Sequence, residues 1–306
     1  MDITQICSGY SETIKKGQMK IFQKGFNYSQ DGDGNRLVYH MQGCNLKCPW
    51  CANPEGMQCK GTIVSDPEWI LESICPHGAI SGTKVDRTIC VGCKNHECIT
   101  EHDTKGMYLS YQNYTVDEIV EEVLNNEMMY YDGGGVTFTG GEVTMQFEEL
   151  LESLKKLKEH RINTAIETNG THVRTEELFP YVDQLIMDCK LCDPVKHQKY
   201  TGGANEEIMK NIRKAAKEHP YFHVRVPLIG GVNNATEDLE AFVRFFKEIN
   251  GDNVTFEVLS YHEFGKKKWE ECGWKYRMTK DAYVDQELVK QFRQMIKDAG
   301  LKYKKT

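Results

Sequence analysis

The sequence predicts an α/β protein built on a largely parallel sheet, and three observations carry that prediction. From Tyr114 onward, apolar strand-like runs alternate with charged, helix-periodic segments, which is the pattern of repeated β-α units. Six runs read as strands. Each is followed at its C-terminal end by glycine, cysteine or ionic residues that a core would not choose. In parallel β/α folds these ends share one face, where active sites are built.

Taken in order, residues 36–42 form the first strand. The second strand, 135–139, lies far downstream and is preceded by a helix pattern at 116–125. Helix 147–159 leads to strand 163–167, and strand 184–188 follows. Helix 206–217 precedes strand 222–228, helix 236–248 precedes strand 254–259, and helix 285–297 comes last. Residues 59–113 interrupt this rhythm with Gly, Pro and cysteine and only modest helical pattern. A structureless loop of that length is improbable inside a compact fold, so the segment reads as an inserted small domain. The expected organisation is an N-terminal segment at 1–58 with the first strand and a cysteine loop, the insert at 59–113, and the remaining units at 114–306.

At 306 residues the chain can bury a substantial core without cross-links. The 45 acidic and 38 basic residues give a net charge of −7, so neither nucleic acid nor an anionic membrane is an expected partner. No apolar run approaches a membrane span, and the first twenty residues lack the apolar core of a signal peptide. A cytoplasmic location follows as the expectation. Thiols stay reduced there, and clustered cysteines are then metal ligands rather than disulfides. No repeat, low-complexity tract or phosphate-loop pattern is present.

Eight of the twelve cysteines fall between Cys44 and Cys98. Cys44, Cys48 and Cys51 place three thiols within eight residues, directly after the first strand. Structural zinc wants four ligands, commonly as two C-x2-C pairs, and this spacing does not supply them. Three thiolates on a four-iron cluster leave one iron open for a chelating molecule. The other strand ends add Gly140-Gly141-Glu142, Glu167-Thr168-Asn169-Gly170, Asp188-Cys189-Lys190, Gly230-Gly231 and Ser260-Tyr261-His262, with Arg225 inside the fifth strand. The ionic set Glu142, Glu167, Asp188, Lys190, Arg225 and His262 needs a use, because charges gathered at such a mouth are expensive to bury.

The C-x3-C-x2-C spacing resembles the signature of the radical S-adenosylmethionine (SAM) superfamily. The resemblance narrows to the activating enzymes of glycyl radical enzymes, relatives of pyruvate formate-lyase activase, and covers the chain from about Gln18 onward. It is carried by Asp31-Gly32-Asp33-Gly34, the cysteine loop, Gly133 to Glu142, Glu167 to Gly170, Met187 to Lys190 and Tyr261 to Lys266. It implies a partial (β/α)6 TIM-like barrel with a small ferredoxin-like, cysteine-rich insert. Cys44, Cys48 and Cys51 would hold a [4Fe-4S] cluster whose open iron takes SAM. Gly140, Gly141 and Glu142 would receive the SAM ammonium group, and Lys190 and Arg225 would serve the carboxylate side of the pocket. Trp50, Asn53 and His262 would contact the adenosyl portion. Glu167, Thr168 and Asp188 match positions that hold a monovalent cation in pyruvate formate-lyase activase, which has aspartate where Glu167 stands. Asp31 would face the incoming glycine loop of a protein substrate. The motif here has Asp33 in place of proline, which predicts a less constrained loop.

The insert departs from its relatives by retaining Cys59, Cys75, Cys90, Cys93 and Cys98 where eight cysteines would serve two clusters. Cys75 with Cys90, Cys93 and Cys98 would ligate one auxiliary [4Fe-4S] cluster, with Cys59 as a substitute ligand; a zinc site or an insert without metal is the alternative. Cys7, Cys189, Cys192 and Cys272 are read as non-ligands. The implied activity is reductive cleavage of SAM to a 5'-deoxyadenosyl radical that takes hydrogen from a backbone glycine of a partner enzyme. Flavodoxin or ferredoxin would supply the electron, and the protein would be a monomer when free. The rival readings are a radical SAM enzyme acting on a peptide or small molecule, and an electron-transfer iron-sulfur protein.

Overall fold

The computed structural model describes residues 17–90, 93, 96–100 and 106–304. Its strands, in chain order, are β1 (Gln18–Tyr28), β2 (Asn35–Met41), β3 (Ile63–Ser65), β4 (Ile80–Ser81), β5 (Lys84–Val85), β6 (Met107–Leu109), β7 (Gln112–Thr115), β8 (Gly135–Gly140), β9 (Thr164–Thr168), β10 (Gln184–Asp188), β11 (Phe222–Leu228) and β12 (Val254–Ser260). One sheet runs β12-β11-β10-β9-β8-β2-β1-β7. The six strands read from the sequence are its parallel set, within one residue at each end. The antiparallel β1 and β7 were not foreseen, and they extend the sheet beyond β2.

Strand registry explains which residues form the core. Tyr39, Phe138, Ile166, Leu185, Phe222 and Val254 lie side by side across the parallel set, and all are buried in the main apolar cluster. Their face is covered by helices Val116–Asn125, Phe147–Glu159, Glu206–Glu218, Thr236–Glu248 and Gln286–Asp298, whose inward stripes Ile119, Leu150, Leu154, Ile212, Phe242 and Phe292 belong to the same cluster. Strand side chains alternate between faces. The opposite face therefore carries Thr139, Glu167, Asp188, His223, Arg225 and Glu257, so the parallel set has an apolar outside and a polar inside.

The sheet must curl. β2 and β11 are four places apart in strand order, roughly 19 Å in a flat sheet. Yet Tyr221, just before β11, donates a 2.6 Å hydrogen bond to Asp33, just before β2. The 31–34 loop thus crosses the N-terminal end of the curled sheet, where Asp33 also pairs with Lys304 at 2.5 Å and takes the amide oxygen of Gln184 on its backbone N–H at 2.8 Å. The expectation of a looser loop is corrected here. Side-chain bonds from Asp33 replace the restraint a proline ring would give.

Arg36 stitches the same end together. It is buried, and its guanidinium donates to Thr137 Oγ1, Val136 O, Asn163 O, Asn163 Oδ1 and Asp33 O. Burial lowers its pKa from 12.5 to about 10, so it stays charged near neutrality.

Residues between β3 and β6, which pair antiparallel, gather around their own small apolar cluster of Ile70, Ile74, Ile80, Cys98 and Met107. Arg87 ties this region to the rest by donating to Ile63 O, Ser65 Oγ and Glu271 O. The connection from β9 to β10 is a 3-10 segment, Thr175–Tyr181, rather than an α-helix, and helices Pro194–Thr201 and Lys266–Glu271 were not foreseen. Among the described residues no helix is long and apolar enough to cross a membrane.

Replacing Arg36 by methionine strands several buried carbonyls without a donor. Urea denaturation should show a loss on the order of 3 kcal/mol, and a loss below about 1 kcal/mol would show that the guanidinium does not brace this end.

Candidate active site

The cysteine loop begins where β2 ends. Gly43 takes φ 103°, a conformation that favours glycine, and turns the chain into Cys44. The loop closes on itself through Gly43 N to Gly56 O (2.8 Å) and Cys44 N to Met57 O (3.0 Å), while the Gln42 amide donates to Glu55 O and Gln58 O. From outside, Trp269 Nε1 holds Cys51 O at 2.9 Å, and Lys268 Nζ binds Asn53 Oδ1 and Glu55 Oε1. The result is a rigid loop. Its three cysteines line a cavity of about 240 Å³ together with Trp50, Asn53, Thr139, Gly140, Gly141, Glu167, Thr168, Asn169, Asp188, Lys190, Tyr261 and His262.

None of the three cysteines is in a disulfide. Burial pushes the Cys48 thiol up to about 12, the Cys51 thiol up to about 11 and Cys44 well above its usual value. Even with Lys190 nearby, burial keeps the sulfurs protonated near neutral pH when no metal lies among them. Among the described residues, only His77, Cys93 and Glu97 bring three donor atoms within 4.8 Å of one another. Cys44, Cys48 and Cys51 are therefore set wider than ligands of one zinc ion, whose roughly 2.3 Å bonds draw sulfurs to roughly 3.8 Å. Three undisulfided thiols lining one cavity fit a cluster with one open position.

The glycine edge is shaped by close backbone approach. Gly140 has φ 118°, and a Cβ on Gly141 would lie 2.3 Å from Gly43 O. Glu142, next along, is buried and does not line the cavity. Its Oε1 accepts from Thr144 N (3.0 Å), Thr144 Oγ1 (2.6 Å) and Thr168 Oγ1 (2.6 Å), and its Oε2 accepts from Asn169 N (2.6 Å). This carboxylate binds the β8 and β9 ends together, and both its oxygens are occupied by the protein.

Arg225 likewise does not line the cavity. It is buried and donates to Glu167 Oε1 (2.9 Å), Glu257 Oε2 (2.9 Å) and Gln30 O. The second Glu167 oxygen accepts from Thr139 Oγ1 at 2.9 Å. Burial opposes the guanidinium charge, but Glu167 and Glu257 outweigh it and hold the pKa above its ordinary value. His223 completes the set, with Nε2 3.1 Å from Glu257 Oε2; burial lowers its pKa, and it is neutral near pH 7. Lys190 Nζ lies 2.5 Å from Asp188 Oδ2. Burial works against the Lys190 charge, and Asp188, with Cys48 and Cys44 nearby, raises the pKa above the usual value.

Trp50 packs with Leu46, Leu191, Ile229 and Tyr261 beneath the loop. His262 is stacked on exposed Phe264 at 4.3 Å. Asp31 stands outside the cavity lining; its side chain accepts from Asn27 and its carbonyl from Thr137. Sequence reading missed Glu257 and His223. Their signal was present as charged or polar residues at alternate positions in apolar strands, His223-Val224-Arg225 and Thr255-Phe256-Glu257.

Cys75, Cys90, Cys93 and Cys98 line a second, small cavity with His77, His96 and Glu97. His77 Nε2 is 3.1 Å from Glu97 Oε2, and Cys93 Sγ is 3.6 Å from the same oxygen. Cys59 lies elsewhere, 3.3 Å from where a Cβ on Gly43 would stand. Cys189 is buried and hydrogen-bonds Cys192. Cys272 lies behind Arg87, and Cys7 lies outside the described residues.

The chain matches the family described as the radical SAM superfamily over residues 38–246. It is 30% identical over 288 residues to the 4-hydroxyphenylacetate decarboxylase activating enzyme of Clostridioides difficile strain CD196, covering 89% of this chain and 90% of the relative. It is 32% identical over 267 residues to the choline trimethylamine-lyase activating enzyme of Oleidesulfovibrio alaskensis, covering 80% and 84%. Among solved structures, Streptococcus suis SuiB bound to precursor peptide SuiA shares the fold, with a TM-score of 0.53 at 13% identity over 87% of this chain and 47% of that one.

The raised thiol values make cluster-free protein sensitive to alkali. The thiols' contribution to stability is complete below the unfolded value of 9.0 and is lost as pH rises through the folded values of about 11 and 12. Between about pH 8 and about pH 10.5 the cluster-free protein should lose on the order of 4 kcal/mol more than a Cys48→Ser, Cys51→Ser variant, about 2 kcal/mol from each thiol. Equal losses in urea titrations would mean that the thiols are not buried.

Proposed function

Because the chain belongs to the radical SAM superfamily and, within it, to the activating enzymes of glycyl radical enzymes, we propose that the cavity at the strand C-termini is its SAM site and that Cys44, Cys48 and Cys51 are its cluster ligands. Held there, a [4Fe-4S] cluster would supply the one electron that cleaves SAM to methionine and a 5'-deoxyadenosyl radical, and that radical would take hydrogen from a backbone glycine of the partner enzyme. The protein's own work is binding, orientation and exclusion of water.

Each part of the cavity has a task. Lys190 supplies positive charge beside the sulfurs and for the SAM carboxylate. The Gly140-Gly141 edge offers backbone carbonyls to the ammonium group, and Glu142 holds that edge from behind. Asn53 and His262 border the adenosyl side, with Trp50 packing beneath them. Asp31 and its tethered loop would meet the glycine-bearing segment, and Arg225 links that loop to the cavity through Glu167. The observation that carries the reading is that three undisulfided thiols from one eight-residue loop share a cavity with the polar ends of the parallel strands.

The four converging thiols at Cys75, Cys90, Cys93 and Cys98 support one auxiliary [4Fe-4S] cluster within a unit spanning 59–113. A single zinc ion at His77, Cys93 and Glu97 is the second reading, favoured by their donor atoms lying within 4.8 Å. We further propose an electron supply from flavodoxin or ferredoxin, a cytoplasmic location and a monomer when free.

Anaerobically reconstituted protein should carry roughly eight irons per chain and form 5'-deoxyadenosine from SAM with dithionite. Cys48→Ser should abolish that product, and its survival would overturn the cluster assignment. Cys98→Ser should lower iron by roughly four while SAM cleavage by dithionite persists. Wild-type protein with roughly four irons and about one zinc would select the second reading of the insert. A glycyl radical signal on incubation with a candidate glycyl radical enzyme, SAM and dithionite tests the protein substrate, and its absence with every candidate would overturn it.

A further inference from the structure

Two carboxylates border the cavity, Glu167 and Asp188, and each already has a cationic side chain against it. The resemblance to pyruvate formate-lyase activase implies a monovalent cation held by these residues and Thr168. Glu167, the donor that differs from that relative, does not fit one. A hard cation needs oxygen lone pairs that it can strip of other partners. Glu167 Oε1 is 2.9 Å from Arg225 Nη1, and Glu167 Oε2 accepts from Thr139 Oγ1 at 2.9 Å. Asp188 Oδ2 is 2.5 Å from Lys190 Nζ. Thr168 Oγ1 donates to Glu142 and accepts from Gly170 N.

Arg225 cannot readily step aside. It is 4% exposed, and Glu257 on the neighbouring strand and the Gln30 carbonyl hold its other nitrogens. A metal cation bound to Glu167 would have to sit beside this fixed guanidinium, where like charges repel in a poorly solvated space. The longer reach of glutamate, compared with aspartate, carries the carboxylate across to the next strands and onto Arg225.

We propose that Arg225 is the built-in counter-ion of Glu167, so that this enzyme binds SAM without a monovalent metal cation. The proposal rests on the reading of the cavity as the SAM site. It makes Arg225 a positioning residue: it fixes Glu167 at the cavity wall and connects that wall to the loop bearing Asp31.

The test uses reconstituted holoenzyme in potassium, sodium and tetramethylammonium chloride at equal ionic strength. Equilibrium dialysis with radioactive rubidium, a potassium surrogate, should find no bound ion with or without SAM, and SAM affinity should differ less than about twofold among the salts. About one rubidium per chain, displaced by excess potassium, would overturn the proposal whether or not SAM binds. So would SAM binding about tenfold tighter in potassium or sodium. Absence of SAM binding in every salt, with no rubidium bound, would instead overturn the SAM-site reading and leave the counter-ion assignment supported. An Arg225→Gln variant frees the Glu167 oxygen and should acquire severalfold potassium dependence of SAM affinity. A folded variant, by circular dichroism, that stays indifferent to potassium would count against Arg225 as the counter-ion. If this variant does not fold, the wild-type dialysis alone decides.

Discussion

Arg225, bonded at once to Glu167 and Glu257, is the interaction that allows a curled parallel sheet to carry ionised groups on its inner face. An unpaired carboxylate there would be strongly destabilising, since burial disfavours the charged form. With the guanidinium between them, two strands can each contribute a carboxylate, and Glu167 can face the cavity as a fixed anion. Because Arg225 also holds the Gln30 carbonyl, the same group fixes the loop that crosses the other end of the sheet. The cavity wall and the 31–34 loop are thereby one mechanical unit.

A comparable economy governs the cysteine loop. It is held on one side by β8 through Glu142 N to Gly43 O at 2.7 Å. Helix Lys266–Glu271 grips the other side, through Lys268 and Trp269. The C-terminal end of that helix, at Glu271 O, is the point to which Arg87 anchors the cysteine-rich region. The two cysteine sets are thus both attached to one short helix, one at its middle and one at its C-terminal end. Trp274, 5.9 Å from Trp269 in centroid distance, borders the space next to Cys90 and Cys93.

How far the sequence could be read varied with the range of the forces involved. The six parallel strands were legible because apolar runs broken by glycine and ionic residues are a local signal. The strands β1 and β7 were not, because Gln18–Tyr28 alternates weakly and only becomes a strand by pairing with β2 and β7. The short helix Pro194–Thr201 was legible in principle: Asp193 caps it, Pro194 opens it and left-handed Gly202 ends it. The cysteine spacing pointed to the family, since ligand type and order are properties of the sequence.

Side-chain direction was decided only in three dimensions. Glu142 and Arg225 were both read at the cavity, yet one turns back to cap its own strand end and the other is drawn between two carboxylates from different strands. The loosening expected from Asp33 was reversed by Tyr221 and Lys304, residues 188 and 271 positions away in sequence. Sequence by itself determined which groups exist and the period at which they face inward. The tertiary structure decided which charges meet, because buried ions take the partner the curled sheet brings within about 3 Å, whatever their distance along the chain.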